Sequence, residues 1–214
     1  MNKINFQKEL EKELAYLSKE GRVPTLLIHS CCAPCSSYVL EYLSNYFHIT
    51  IFYYNPNISP AEEYEKRAEE QARLIQSMKV KYPMKLIVGE YEPQLFFAMA
   101  KGLEKEAEGG NRCFGCYKLR LQKAITLAEE LGFDYVTTSL TISPMKNATK
   151  LNEIGLAETE GKGVKWLLSD FKKKEGYKRS IELSLEHDLY RQDYCGCIYS
   201  KMESEERRKR QSDK

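Results

Sequence analysis

Apolar residues at Phe6, Leu10, Leu14 and Leu17 follow a helical period and predict a helix over 6–20, which Gly21 ends. The apolar run Thr25–His29 has the length of a buried strand and leads directly into Ser30-Cys31-Cys32-Ala33-Pro34-Cys35. Val39, Leu43, Tyr46 and Phe47 share one face of a second helix, and Ile49–Tyr54 reads as the next strand. Asn55-Pro56-Asn57 is loop chemistry. Ser59-Pro60-Ala61-Glu62 then predicts a helix start with a capping box and a first-turn proline, the helix running to about Lys79. Leu86–Val88 is a third strand, and Pro93 opens another helix. After the Gly109-Gly110 loop, Tyr117, Leu121, Ala124, Ile125, Ala128 and Leu131 lie on one face of a helix stopped by Gly132. Tyr135–Thr138 and Val164–Leu168 are the remaining strands. A basic loop spans 172–179, a last helix carries Ile181 to Tyr190, and the polar end from Glu205 to Lys214 is expected to fray. Strands alternating with helices imply an α/β fold, a parallel sheet with helices on both faces and a helical C-terminal part.

The chain's 214 residues suit a single domain over 1–214 with a basic tail. Its composition, 42% hydrophobic and 30% charged, is that of a folding chain rather than a disordered one. A formal charge of +2 does not advertise a nucleic-acid binder, so a local patch has to carry any such contact. Apolar runs are strand-sized, and Met1–Glu20 is charged and lacks the apolar core of a signal peptide. The expected location is the cytoplasm, with no membrane partner.

That location changes the meaning of the seven cysteines, grouped as Cys31-Cys32-x-x-Cys35, Cys113-x-x-Cys116 and Cys195-x-Cys197. Reducing surroundings disfavour structural disulfides, and close-set pairs there point to metal or redox chemistry. The first group follows the first strand, where open parallel sheets place their ligands, and lies at a helix start that favours thiolates. The second is expected just before a helix, with Gly115 letting the backbone approach a metal. Cys195 and Cys197 could chelate one metal or form an easily reduced disulfide. Four thiolates suit a [4Fe-4S] cluster and suit zinc equally. Adjacent Cys31 and Cys32 are expected to point apart, and Cys35 could be an inert core thiol.

Other candidates are less specific. Tyr54, Asn55 and Asn57, after the second strand, are either substrate contacts or a polar turn. Lys172, Lys173, Lys174 and Tyr177 in the basic loop are either phosphate contacts or solvated surface. His29 is a possible orienting donor, and Asp170 and Asp193 are possible proton donors or iron ligands. The first-strand turn is where an ATP-pyrophosphatase carries a glycine-rich phosphate loop, and those glycines are missing here. The reading is a Rossmann-like scaffold (HUP, adenine nucleotide alpha hydrolase-like) in which thiolates replace ATP chemistry.

Several ordered blocks resemble the QueH family: Leu27–Ser37, Tyr54-Asn55-Pro56-Asn57-Ile58 with Glu63-Tyr64, Arg112–Arg120, Ser143–Asn147, Asp170–Lys174 and Tyr190–Cys197. The resemblance covers about Thr25 to Ser200 and departs at no motif cysteine. It implies a cobalamin-independent epoxyqueuosine reductase that removes the epoxide oxygen of epoxyqueuosine in tRNA to give queuosine. It further implies a [4Fe-4S] cluster, a second iron ion, tRNA bound through its anticodon region, and an electron donor the chain does not identify. On that reading Cys31, Cys32, Cys113 and Cys116 hold the cluster. Cys195 and Cys197, with Cys35, hold the second metal or form a redox-active disulfide, and Cys195, Cys197 and Asp193 are the catalytic candidates. The competing functions are a zinc-stabilised tRNA-binding module, a thiol–disulfide oxidoreductase and a tRNA sulfur-transferase.

Overall fold

The computed structural model describes residues 4–212. Helix α1 (Phe6–Lys19) precedes strand β1 (Thr25–Ser30), and α2 (Ala33–Leu43), β2 (His48–Tyr53), α3 (Ala61–Ser77) and β3 (Lys85–Val88) follow in alternation. After α4 (Pro93–Ala100) and α5 (Asn111–Glu130) the chain crosses back to β4 (Tyr135–Thr138), α6 (Ala148–Thr159) and β5 (Lys165–Trp166), then ends in α7 (Gly176–Glu186) and α8 (Ile198–Ser212). The five strands are all parallel, in the order β3-β2-β1-β4-β5. Central β1 sets the register, Ile28 lying opposite Ile51 on one side and Thr137 on the other.

Alternation along the strands divides the core. Leu26 and Ile28 of β1 join Leu10, Leu14 and Leu17 of α1 and Val39, Leu40 and Leu43 of α2. Leu27, between them, faces the other way and joins Leu121, Ala124, Ile125 and Ala128 of α5, with Leu151 and Trp166. The sheet is thus covered on both faces, as the alternating pattern implied. Among the described residues, no helix is long and apolar enough to cross a membrane.

Several local expectations change. At α3 no side chain caps the helix: Pro60 is itself the N-cap, following a cis Ser59–Pro60 bond. The Ser59 N–H instead donates to the Gly196 carbonyl at 3.0 Å. Helix α7 begins at Gly176, inside the expected basic loop, and only glycine fits at that position, since a Cβ there would stand 2.0 Å from the Phe171 carbonyl and 2.5 Å from the Tyr38 ring. Helix α6 and the 3-10 turn Ser139–Ile142 have no counterpart in the periodicity. The end expected to fray from Glu205 is helical through Ser212; residues 213–214 of that expectation lie outside the described residues.

Candidate metal centre

β1 and β4 are neighbours whose following helices diverge, α2 packing on one face of the sheet and α6, reached through the 3-10 turn 139–142, on the other. Such a divergence leaves a crevice beyond the strand ends. Cys31 and Cys32 leave β1 into it. Their loop is tied to α3 through Gln71, whose Oε1 accepts from Ser30 Oγ at 2.6 Å and Ser36 Oγ at 2.8 Å. Cys32 is the N-cap of α2, and Cys35 lies in its first turn. This strand-to-helix corner interrupts the pleat, so Cys31 and Cys32 converge instead of pointing apart. Cys31 Sγ donates to Cys32 Sγ at 3.9 Å, and with Cys35 the three sulfurs lie within 4.8 Å of one another. Cys35 is therefore one of a thiol trio. Hydrogen bonds from Cys31 and Cys35, helped by the Arg67 guanidinium, hold Cys32 well below the ordinary thiol range. Donating that bond pushes Cys31 up to about 11, and the same sharing raises Cys35. The trio is disposed to carry one negative charge, centred on Cys32.

The other four thiols gather nearby. Cys113 stands in the first turn of α5 and Cys116 in the second, not before the helix. Gly115 between them serves packing: a Cβ there would meet Met99 Sδ at 2.5 Å, so the glycine admits α4 rather than a metal. Cys113, Cys116, Cys195 and Cys197 surround an inner void of about 10 Å³, room for one water-sized particle. Burial pushes Cys116 up to about 12 and also raises Cys197. All seven cysteines are free thiols.

Cys195 also faces a larger chamber of about 320 Å³, lined by Cys31, Cys32 and Cys35. One wall is apolar, from Leu140, Ile142, Pro144 and Met145. Tyr177, Lys146, Arg191 and Arg207 complete much of the remainder. Lys146 is buried and paired with Glu108 at 2.8 Å. Burial opposes its charge, but Cys195 and Glu108 outweigh that, and the amine stays protonated well above the usual lysine range.

Two arginines brace this centre. Arg67 of α3 is 2% exposed, pairs with Glu63 at 2.7 Å and donates to the Cys195 carbonyl at 3.3 Å. Arg120 of α5 is 1% exposed, donates to Asn55 Oδ1 at 3.2 Å and to the Cys116 carbonyl at 3.3 Å, and meets no carboxylate among the described residues. Its Nη2 has no acceptor. Burial works against this cation, and the groups beside it that favour its charge are the sulfurs of Cys116, Cys195 and Cys31; Cys31 and Cys116, raised as they are, would lend negative charge only once bound to a metal. A buried cation without an acid fits an anionic thiolate–metal centre beside it, since an uncompensated buried charge is costly by several kcal/mol, roughly.

The expected polar contacts divide. Tyr54 and Asn55 are fully buried and bonded within the fold, Tyr54 Oη to Glu92 at 3.0 Å and Asn55 Nδ2 to the Ser30 carbonyl at 2.9 Å. Asn57 lines the inner pocket with both amide atoms unpartnered. His29 is fully buried between Thr138 Oγ1 at 2.9 Å and the Tyr54 carbonyl at 3.0 Å, and burial lowers its pKa to about 3. It is a neutral strut of the sheet. In the basic segment, Lys172 pairs with Asp170, Lys174 with Glu11, and Arg179 with Glu41, Glu182 and Glu186. Lys172 and Lys173 line a separate cavity beside Asn147, and Tyr177 alone of the four expected residues reaches the thiol chamber. Asp193 is clasped by Arg208 at 2.5–2.9 Å; that contact holds its carboxyl below the usual range, the opposite of what a proton donor near neutrality needs.

The family described as "Epoxyqueuosine reductase QueH" matches residues 26–203, a span containing all seven cysteines. The chain belongs to the QueH family. It is 45% identical to the epoxyqueuosine reductase QueH of Staphylococcus epidermidis over 94% of this chain and 86% of that one. Similarity extends to the QueH of Streptococcus pyogenes, 42% identical over 92% and 78% of the two chains, and of Thermotoga maritima, 36% over 86% and 93%. QueH membership makes this chain an oxidoreductase and gives the thiol centre a redox context. Arg67, Arg120 and the Lys146–Glu108 pair carried no assigned role in the sequence. The signal available was a charged residue set within an apolar helix stripe: Arg120 lies between Tyr117 and Ala124, and Arg67 between Tyr64 and Leu74.

Proposed function

We propose that this chain reduces the epoxide of epoxyqueuosine in tRNA to the cyclopentene of queuosine, in the cytoplasm, with a [4Fe-4S] cluster and a second iron ion held by its thiols. The observation that carries this reading is the gathering of the seven free thiols around two adjoining spaces that share Cys195, one of them a chamber of about 320 Å³, with the buried Arg120 guanidinium beside Cys31, Cys116 and Cys195. Cys31, Cys32, Cys113 and Cys116 are the proposed cluster ligands, two from each thiol set. Supporting this division, Cys31 and Cys113 pack against the same apolar cluster, and Arg120 is stabilised by both Cys31 and Cys116. Cys35, Cys195 and Cys197 remain for the second metal, and Cys195 faces both inner pocket and chamber.

Deoxygenating an epoxide to an alkene consumes two electrons and two protons and releases water. When bound, the cluster would supply electrons singly and the second iron a Lewis acid for the departing oxygen. The protein's own residues orient the substrate and manage charge. The apolar wall at Leu140, Ile142 and Met145 takes the face of the modified base, with Tyr177 beside it. Lys146, kept protonated at the chamber wall, is placed to stabilise developing negative charge on oxygen. Asp193, held ionised by Arg208, acts here by fixing the segment before Cys195.

The test is iron, sulfide and zinc analysis of anaerobically purified protein, followed by turnover of epoxyqueuosine tRNA with a low-potential chemical reductant. Iron in excess of one cubane, together with queuosine formation, is the expected result. A colourless zinc protein after iron–sulfur reconstitution, without turnover, would leave a zinc-stabilised binding module.

A further inference from the structure

The chamber's charges do not cancel, and the remainder is localised. Arg67 is neutralised by Glu63, Lys146 by Glu108, and Asp193 by Arg208. Two lining cations are left. Arg191 is exposed, and its Nη1 is held by the Ser184 hydroxyl at 3.0 Å and the Ser180 carbonyl at 3.4 Å, with no acid in contact among the described residues. Arg207, on the exposed side of α8, meets no carboxylate among the described residues. Both line the same chamber as the buried thiols, whereas the lysine-rich segment 172–174 does not. Arg191 belongs to the segment leading into Cys195, and Arg207 to the helix following Cys197.

We propose that Arg191 and Arg207 form a phosphate clamp that grips the RNA backbone on the two sides of the nucleotide whose base enters the chamber. This inference rests on the reductase reading above and adds the residues that seat its substrate. A nucleotide presents an apolar face, polar edges and a phosphodiester, in that order outward. The chamber's lining offers the matching parts: an apolar stretch with Tyr177, the buried Lys146 amine, and two exposed guanidinium groups. Guanidinium forks match phosphate oxygens, and acid-free ones lose no existing ion pair on binding. The cations of segment 172–179 are largely committed to Asp170, Glu11, Glu175, Glu41, Glu182 and Glu186, and would have to break those pairs first.

The experiment is the salt dependence of tRNA binding, measured by anisotropy on labelled epoxyqueuosine tRNA without reductant. Each phosphate contact to single-stranded RNA contributes about 0.7 to the slope of log K against log salt. Arg191→Gln and Arg207→Gln should each make the slope shallower by about 0.7 and weaken binding about 4-fold at ~0.15 M salt, and the double variant about 14-fold. Arg207→Lys should restore most of the slope, which a fold defect would not allow. Lys85→Gln makes the same charge change at the opposite end of the sheet, on the first residue of β3, and should leave the slope at its wild-type value. Wild-type slopes in both arginine variants, or an equal loss in Lys85→Gln, would overturn the clamp. If wild-type protein converts epoxyqueuosine tRNA while the slopes stay put, the clamp alone has failed; absence of wild-type conversion under reconstitution removes the reductase reading.

Discussion

Gly196 separates two thiols, and the structure makes its replacement severe. Its φ of +115° lies beyond the left-handed helical well, where a residue with a side chain is strained by about 1–3 kcal/mol. An added Cβ would also stand 2.9 Å from Ile58 Cγ1 and 3.0 Å from Arg67 Nη1. Both neighbours are almost fully enclosed, at 1% and 2% exposure, so neither can swing into solvent. Forcing atoms into such a site adds about 1–3 kcal/mol. Gly196→Ala should therefore cost about 2–6 kcal/mol, a large share of the roughly 5–15 kcal/mol that stabilises a domain. Gly21→Ala is the internal reference: its φ is +62° and nothing lies within 4 Å of the added Cβ, so only the backbone term of about 1–2 kcal/mol applies. Anaerobic urea unfolding of the two variants, with bound iron determined in each, measures the difference. If the segment detaches locally instead of unfolding the domain, the loss appears in hydrogen exchange of the Ser59 amide, which donates to the Gly196 carbonyl. Equal stability of the two variants, with wild-type iron and wild-type Ser59 protection in Gly196→Ala, would refute the argument that α3 holds the Cys195-Gly196-Cys197 segment in place.

Three further outcomes follow from the same geometry. Arg120→Met removes a buried cation while keeping its bulk; the metal-free protein should be as stable as wild type or gain up to about 1–4 kcal/mol, yet bind less iron. Undiminished iron in that variant would mean that Arg120 does not offset thiolate charge. Single alanine substitutions at Cys31, Cys32, Cys113 or Cys116 should remove labile sulfide together with iron, while Cys197→Ala retains the sulfide; sulfide lost with Cys35→Ala but kept with Cys113→Ala would instead divide the ligands by thiol set. His29 has a folded pKa of about 3 against 6.5 when unconstrained, so the unfolded chain takes up its proton first as pH falls. Its contribution is complete above about pH 6.5 and declines below it, by about 2 kcal/mol between pH 7 and pH 5, and His29→Asn should flatten that part of the stability profile if the reasoning holds.

What could be read in the sequence, and what could not, has a common physical cause. Helices α1, α2 and α5 pack through Leu, Val and Ile at helical spacing, and the strands through alternating aliphatic residues, so periodicity reveals them. Helices α6 and α8 pack through other chemistry. The buried face of α6 is Ala148, Leu151, Asn152 and Gly155, and the last lies flat against Trp166, where a Cβ would fall 2.1 Å from the ring. On α8, Ser200 and Ser204 are buried, at 1% and 3% exposure, and neither registers as a hydrophobic position. The basic loop shows the converse limit. Its positive charges are plain in the sequence, but Glu11 and Glu41, which neutralise two of them, are more than 130 residues away and become neighbours only in the fold. The same cause bears on the centre. Cysteine spacing points to metal chemistry, yet the three distant thiol groups come together only in the fold, where Arg67 and Arg120 bond the Cys195 and Cys116 carbonyls from helix positions that local pattern assigns to apolar residues. A charged residue in such a stripe violates the rule that buried charges are paired, and the violation is resolved only if the thiols opposite carry negative charge. Arg120 is thus both the feature hardest to justify from folding alone and the one that the proposed anionic metal centre would account for.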